Sequence, residues 1–110
     1  MKKVTAGREQ LGDFAPTFAA LNDDVLFGEV WSRESQLSAR DRSFATITAL
    51  MSMGAFEQLP FHLQKAKENG LTQEEVAELI TQLAFYIGWP KAWSAFGIAK
   101  EVYQGGEQNE

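Results

Sequence analysis

The segment from Thr72 to Pro90 constrains the fold most strongly, because it carries the complete pattern of one amphipathic helix. It opens with Thr72-Gln73-Glu74-Glu75, a capping box whose side chains satisfy the free amides at a helix start. Apolar residues then recur at helical spacing until the break at Gly88-Trp89-Pro90; they are Val76, Leu79, Ile80, Leu83, Ala84 and Ile87. No segment of the chain alternates polar and apolar residues for long, so the sequence predicts an all-α protein.

Similar signals before Thr72 predict the first helices. We expect a short helix from about Thr5 to Phe14 and a second from Asn22 to Glu34, capped by Asn22 or Asp23. A third begins after Ser38 and includes an uncharged run over residues 43–56. Because this run is apolar on several sides, we expect that helix to be enclosed on most sides.

The remaining boundaries bring the total to about six helices. Pro60 suits the first turn of a fourth helix, which Gly70 ends. The helix after Thr72 is the fifth, and a sixth is expected from about Lys91 to Tyr103. The polar tail, residues 104–110, is expected to be flexible.

Composition narrows the classes of protein. With 110 residues the chain is expected to form a single domain, residues 1–110. The net charge of −5 argues against a nucleic-acid surface, and no apolar run reaches the roughly 20 residues of a membrane span. The start of the chain leads into polar residues, so we expect a cytoplasmic protein. The sequence has no cysteine and one histidine, which excludes disulfides, thiolate chemistry and a multi-histidine metal site within one chain.

The single histidine, His62, is the only side chain whose ordinary pKa lies near neutrality. If Pro60 begins the helix, His62 lies in its first turn, where the helix dipole disfavours the imidazolium. A neutral imidazole there could accept a proton or polarise a carbonyl, and Glu57 could approach it. The structural alternatives are a half-buried histidine bonded to a polar neighbour and a solvated glutamate.

Candidate binding residues occur in two other places. Arg40 and Arg42 offer planar donors for a carboxylate, although each could instead pair with a nearby acid. They would need a folded third element, or a second chain, to share a site with His62. Tyr86 and Trp89, with Trp93, surround a helix break that could line a pocket, and the alternative for each is ordinary core.

Four blocks in order resemble the carboxymuconolactone decarboxylase family over about residues 25–100. They are Leu37-Ser38-Ala39-Arg40-Asp41-Arg42-Ser43, Leu59-Pro60-Phe61-His62-Leu63, Asn69-Gly70-Leu71-Thr72-Gln73-Glu74-Glu75 and Ala84-Phe85-Tyr86-Ile87-Gly88-Trp89-Pro90. The resemblance implies the alkylhydroperoxidase D-like helical fold with interlocked subunits. It also implies a homo-oligomer, which could be a dimer, a trimer or a hexamer.

The same resemblance implies a reaction and roles for the candidate residues. The decarboxylase branch removes CO2 from a small carboxylated lactone of aromatic degradation, without metal or organic cofactor. On this sequence, that implies proton transfer by His62, with Glu57 orienting or recharging it. It also implies that Arg40 or Arg42 holds the anion and that Tyr86 and Trp89 contribute to the substrate pocket.

Two departures separate this chain from its relatives. The peroxidase branch of the superfamily carries a Cys-x-x-Cys pair, whose positions fall on Ala55 and Gln58 here, so thiol peroxidase chemistry is excluded. The decarboxylases often have Glu where this chain has Gln58, and Glu57 is one residue earlier. The alternative function is therefore a non-catalytic oligomer of the same fold that binds small molecules or acts as an accessory protein.

Overall fold

The computed structural model describes residues 3–105, and this part of the chain is helical without a strand. Six α-helices follow one another, and π-helical segments continue the second and the sixth. The α-helices are α1 (Ala6–Leu11), α2 (Pro16–Ala20), α3 (Ala39–Met53), α4 (Leu59–Glu68), α5 (Gln73–Ile87) and α6 (Trp89–Lys100). The π-helical segments are Leu21–Val30 and Glu101–Gly105. The expected all-α class and the number of helices are confirmed for the described residues.

The chain divides into two compact units, one up to residue 39 and one from residue 40 onward. In the first, the predicted cap at Asn22 or Asp23 is wrong, because the helix begins at Pro16 and is already π-helical at Leu21. Asp23 instead caps α1: its buried carboxylate accepts hydrogen bonds from the backbone N–H groups of Gly7 (2.8 Å) and Arg8 (3.0 Å).

The close approach of the Asp23 carboxylate to the backbone explains why residue 7 is a glycine. A Cβ added at Gly7 would lie 2.7 Å from the Asp23 carboxylate, too close for any other residue. Burial opposes ionisation of Asp23, but hydrogen bonds from Asn22 and from the backbone of Arg8 and Gly7 outweigh it and lower its pKa. The first unit is therefore held by a polar cluster that local sequence patterns did not reveal.

The third helix begins after Ser38 as predicted, but it has a different environment. It buries one stripe, formed by Ser43, Ile47 and Met51, while Phe44 and Met53 are exposed. The expectation that α3 is enclosed on most sides is thus not met within this chain, because its neighbours cover only the stripe at four-residue spacing. Thr48 and Ser52 donate hydrogen bonds to carbonyls one turn earlier, as such residues often do inside helices.

The predicted starts of α4 and α5 are confirmed. Pro60 lies in the first turn of α4, where its missing N–H costs nothing. Both hydrogen bonds of the capping box form at α5: Glu75 N–H donates to Thr72 Oγ1 (3.1 Å), and Thr72 N–H donates to Glu75 Oε1 (3.0 Å). The sequence signals for both helix starts involve residues within one turn, so packing elsewhere did not move these starts.

Side-chain bonds fix the directions of the helices in the second unit. Asn69, after the end of α4, donates to Ser43 Oγ near the start of α3 (3.0 Å), so α3 and α4 are antiparallel. Lys67, in the last turn of α4, donates to the Val102 carbonyl (3.4 Å), and Tyr103 donates to the Leu71 carbonyl (2.7 Å). The ends of α4 and α6 therefore lie together, and these two helices run parallel.

The core of the second unit lies between α3, α4, α5 and α6. Fully buried apolar side chains from α3, α4 and α5 form its centre, including Ile47, Met51, Leu59, Leu63 and Ile80. α6 adds alanines, Ala92, Ala95 and Ala99, whose small size lets it pack closely. Gln104 and Gly105 complete the second π-helical segment, and residues 106–110 of the expected tail lie outside the described residues.

Among residues 3–105, no helix combines the length and apolar character needed to cross a membrane.

Candidate active site

His62 lies in the first turn of α4, at the end of the second unit where α3 finishes and α4 begins. The side chain is half-buried, and its Nδ1 atom is buried. The edge of the neighbouring Phe61 ring meets it, with ring centroids 5.0 Å apart. Burial, and then the positive charge of Lys65, lower the pKa of His62 below its usual value. Both effects favour the neutral imidazole in the unliganded protein.

The turn between α3 and α4 carries the other residues expected near His62. Glu57 is exposed in this turn, five positions before the histidine, so its carboxylate can exchange protons with water. Gln58 is exposed at the N-cap position of α4, and its side chain forms no capping hydrogen bond there. Glu57 and His62 thus lie at the same end of the unit. Among the described residues, the structure shows no hydrogen bond made by the Glu57 carboxylate.

Arg40 and Arg42 lie at the opposite end, in the first turn of α3. Arg40 forms an ion pair with Glu75 of the α5 capping box and approaches Asp41 at 3.7 Å. The pKa of Glu75 is lowered chiefly by the Thr72 backbone N–H, against the opposing effect of burial, and further by Arg40. Arg40 therefore has the local acid partners that were its structural alternative.

The distance along α3 separates the arginines from the histidine within one chain. Arg42 and Met53 are about 16 Å apart along the axis, at about 1.5 Å per residue. His62 follows Met53 after a short turn, whereas the bond between Asn69 and Ser43 places the far end of α4 beside the arginines. Of the four predicted polar site residues, Arg40 and Arg42 thus lie at the start of α3, and Glu57 and His62 lie beyond its end.

The aromatic residues around the helix break line a groove on α5 and α6. Trp89 and Trp93 contribute to a cavity of about 350 Å³ whose other lining residues are Thr81, Ala84, Ala92 and Phe96. Phe85 packs edge-on against Trp89, with centroids 5.8 Å apart. Tyr86 lies outside this lining and is 78% exposed. Within one chain these aromatics are surface residues, which removes ordinary core as the explanation for them.

Sequence reasoning missed Lys91, which is half-buried in the first turn of α6. Its ammonium group donates to the Ser52 carbonyl (2.9 Å) in the last turn of α3, at the His62 end of the unit. A signal for it exists in the sequence. A lysine directly after Trp89-Pro90 stands in a first helical turn, where the dipole disfavours positive charge, so it needs a specific partner.

Comparison with known proteins places these features in a family. Residues 16–101 match the carboxymuconolactone decarboxylase family, somewhat more of the chain than the blocks indicated. The chain is 36% identical over 103 residues to 4-carboxymuconolactone decarboxylase of Acinetobacter baylyi, covering 94% of this chain and 76% of that protein.

Two further relatives are similar over shorter stretches. An uncharacterized 15.0 kDa protein of the nqo9-nqo10 intergenic region of Paracoccus denitrificans is 36% identical over 90 residues, covering 80% of this chain and 66% of that protein. Nitrosuccinic acid decarboxylase npaB of Metarhizium robertsii is 29% identical over 76 residues, covering 69% of this chain and 52% of that protein.

Proposed function

The chain belongs to the carboxymuconolactone decarboxylase family, and we propose on this premise that it removes CO2 from a small carboxylated lactone. 4-Carboxymuconolactone is the leading candidate substrate, because a relative that aligns with most of the chain is named for that reaction. The observation that carries the proposal is His62, a half-buried imidazole in the first turn of α4. It is the one group in the second unit suited to proton transfer near neutral pH.

The chemistry of such a substrate defines what the protein must supply. The bond between the ring carbon and its carboxylate carbon breaks, and CO2 leaves. The electron pair of that bond moves through the conjugated ring onto the carbonyl oxygen of the lactone. The resulting dienolate then takes a proton on a ring carbon to give the enol-lactone. The reaction consumes one proton, so the site needs a general acid and a positive charge that holds the anion.

In this proposal His62 donates that proton as the imidazolium. Its lowered pKa makes the imidazolium a stronger acid, while an anionic substrate in the site favours the charged form. After each turnover the neutral imidazole takes up a new proton. Exposed Glu57, in the adjacent turn, is the group we assign to relay that proton from water.

We also propose that the protein is a homo-oligomer with interlocked subunits. Large aromatic side chains remain exposed on one region of the chain, including Phe85 (77%), Tyr86 (78%) and Trp93 (71%). Patches of this kind are typical of protein interfaces. If Arg40 or Arg42 binds the substrate, it must come from a neighbouring subunit, because neither lies at the His62 end of its own chain. Light scattering after size-exclusion chromatography tests the assembly, and a strict monomer would refute it.

The deciding experiment is a turnover assay with 4-carboxymuconolactone and related carboxylated lactones. We expect release of CO2 by the wild type and a rate about 10²- to 10⁴-fold lower for His62→Gln, because the general acid is lost. Gln64→Ala, an exposed change on the same helix, is the matched control and should retain full activity. Circular dichroism and light scattering should be unchanged in both variants.

The groove at Trp89 and Trp93 favours a second function, which is binding of a small apolar molecule without turnover. In that case the wild type releases no CO2 from any lactone tested, and His62→Gln binds the same ligands as the wild type. The absence of CO2 release would contradict the decarboxylase proposal, and unchanged binding by His62→Gln would then favour the accessory-protein alternative.

A further inference from the structure

The proposed reaction needs a cation beside His62, and the chain's arginines in α3 do not provide one. Arg40 is paired with acids at the far end of α3, and Arg42 lies in the same first turn. A substrate carboxylate bound there would be about 16 Å away along the helix from the turn that leads to His62. Lysines that lie toward the His62 end of α4 and α6 are therefore the groups to consider.

Lys91 has the placement that such a group requires. Its stem passes the turn after α3, since a Cβ added at Gly54 would lie 3.7 Å from Lys91 Cε. Its ammonium donates to the Ser52 carbonyl, and among residues 3–105 no carboxylate forms an ion pair with it. An ammonium carries three donors, so one carbonyl leaves it able to bind an anion as well.

The parallel course of α4 and α6 sets the offset between Lys91 and His62 along the helix axes. The bonds of Lys67 to Val102 and of Tyr103 to Leu71 define which residues of the two helices lie at the same height. By that register, Lys91 lies level with the start of α4, around residues 56–59. His62 is then about 5–9 Å farther along the axis, at about 1.5 Å per residue. Lys91 and His62 therefore lie at the same end of the unit.

We propose that Lys91 is the substrate-binding cation of this site, holding a carboxylate of the lactone while His62 protonates the ring. The inference rests on the proposed function and adds the residue that recognises the anion. It also gives a role to a lysine that stands in the first turn of α6 against the helix dipole. Lys65, whose charge acts on His62, adds to the positive field at the same end.

The test measures binding and turnover separately. Calorimetry gives the Kd for a saturated carboxylated lactone, which cannot decarboxylate, and for its neutral methyl ester. Kinetics give kcat and KM for the reactive lactone. The proteins are the wild type, Lys91→Gln, Lys91→Arg and the control Lys100→Gln, an exposed lysine at the other end of α6. Glutamine can still donate to the Ser52 carbonyl, so the Gln variant removes the charge while retaining a donor.

We expect Lys91→Gln to weaken binding of the acid and raise KM about 10- to 100-fold, the size of one lost charged hydrogen bond. Lys91→Arg should remain close to the wild type, and Lys100→Gln should match it. The ester should bind all four proteins equally and weakly. The Kd values of the acid and the ester can be compared on the wild type even if Lys91→Gln fails to fold. The ester lacks the negative charge, so this comparison removes the charge from the ligand instead of from the protein.

The outcomes distinguish this inference from the function on which it rests. If the wild type turns over lactones but Lys91→Gln keeps its KM and Kd, the role of Lys91 is refuted and the decarboxylase stands. If the wild type releases no CO2 but binds the acid through Lys91, the decarboxylase fails and the anion site stands. Equal binding of acid and ester to the wild type would overturn the anion site directly.

Discussion

The two ends of α3 use their charged residues in opposite ways. At the start of the helix, Arg40 pairs with Glu75, and Asn69 donates to the fully buried Ser43. At its end, Lys91 contacts a backbone carbonyl and His62 is half-buried. At one end an arginine is paired with acids, whereas at the other the Lys91 ammonium contacts a carbonyl and the charge of Lys65 lowers the pKa of His62.

This difference indicates different roles for the charged residues at the two ends of α3. Matched charges on a surface contribute little to binding an additional anion, because each is already screened by its partner. In the proposals made above, Lys91 binds the anionic substrate and His62 protonates it. These proposals place stability at the start of α3 and activity at its end, and the following predictions test that division.

The largest effect is expected from pH, acting at the His62 end. If His62 is the general acid, kcat/KM falls about tenfold per pH unit above its pKa in the free enzyme. That pKa lies below its ordinary value, so activity should already decline as pH rises through the mildly acidic range. The single histidine gives one imidazole signal in an NMR titration, which measures this pKa directly.

A bound anion should shift this pH profile in a known direction. The negative substrate favours the imidazolium, so the profile of kcat should lie at higher pH than that of kcat/KM. A profile that rises with pH in both parameters would show that His62 does not donate the proton. Gln64→Ala should reproduce the wild-type curve.

An intermediate effect is expected from Thr72, at the other end of the same unit. Thr72→Ala removes the capping hydrogen bond to Glu75 N–H and should lower the free energy of unfolding by about 1 kcal/mol. Urea denaturation at fixed protein concentration measures it. The control is Thr81→Ala, an exposed position inside α5, which should be neutral. A change in KM for Thr72→Ala would break the division between the two ends.

The smallest effect is expected from Arg40. Arg40→Gln removes an exposed ion pair, so the thermal midpoint should change by no more than a few degrees. KM for the lactone should stay at its wild-type value, in contrast to Lys91→Gln. A large rise in KM would instead mean that Arg40 of a neighbouring subunit completes the site, in agreement with the original expectation for this residue.

Helix boundaries were predictable where a few adjacent residues decide them. The box from Thr72 to Glu75 and Pro60 mark starts that depend on backbone amides within one turn, and both agree with the structure. The start of the second helix was not predictable in this way. Asp23 resembles a local cap, but its carboxylate bonds the amides of Gly7 and Arg8, which are distant in sequence.

For the candidate site, sequence patterns selected the residue types and part of their grouping. His62, Glu57, Arg40 and Arg42 were all named, and the arginines were expected to need a third element or a second chain to share a site with His62. Lys91 was missed because its partner, the Ser52 carbonyl, is a backbone atom 39 positions away. Such an acceptor has no signature in the sequence.

The sequence by itself determined the all-α class, the helix boundaries that local signals mark and the absence of thiol chemistry. These follow from residue types and from spacings of a few positions. Tertiary structure alone decided which charges meet. Whether Lys91 or Arg40 lies at the same end of the unit as His62 depends on the directions in which α3, α4 and α6 pack. Those directions come from burial of several apolar stripes at once, together with a few long-range hydrogen bonds.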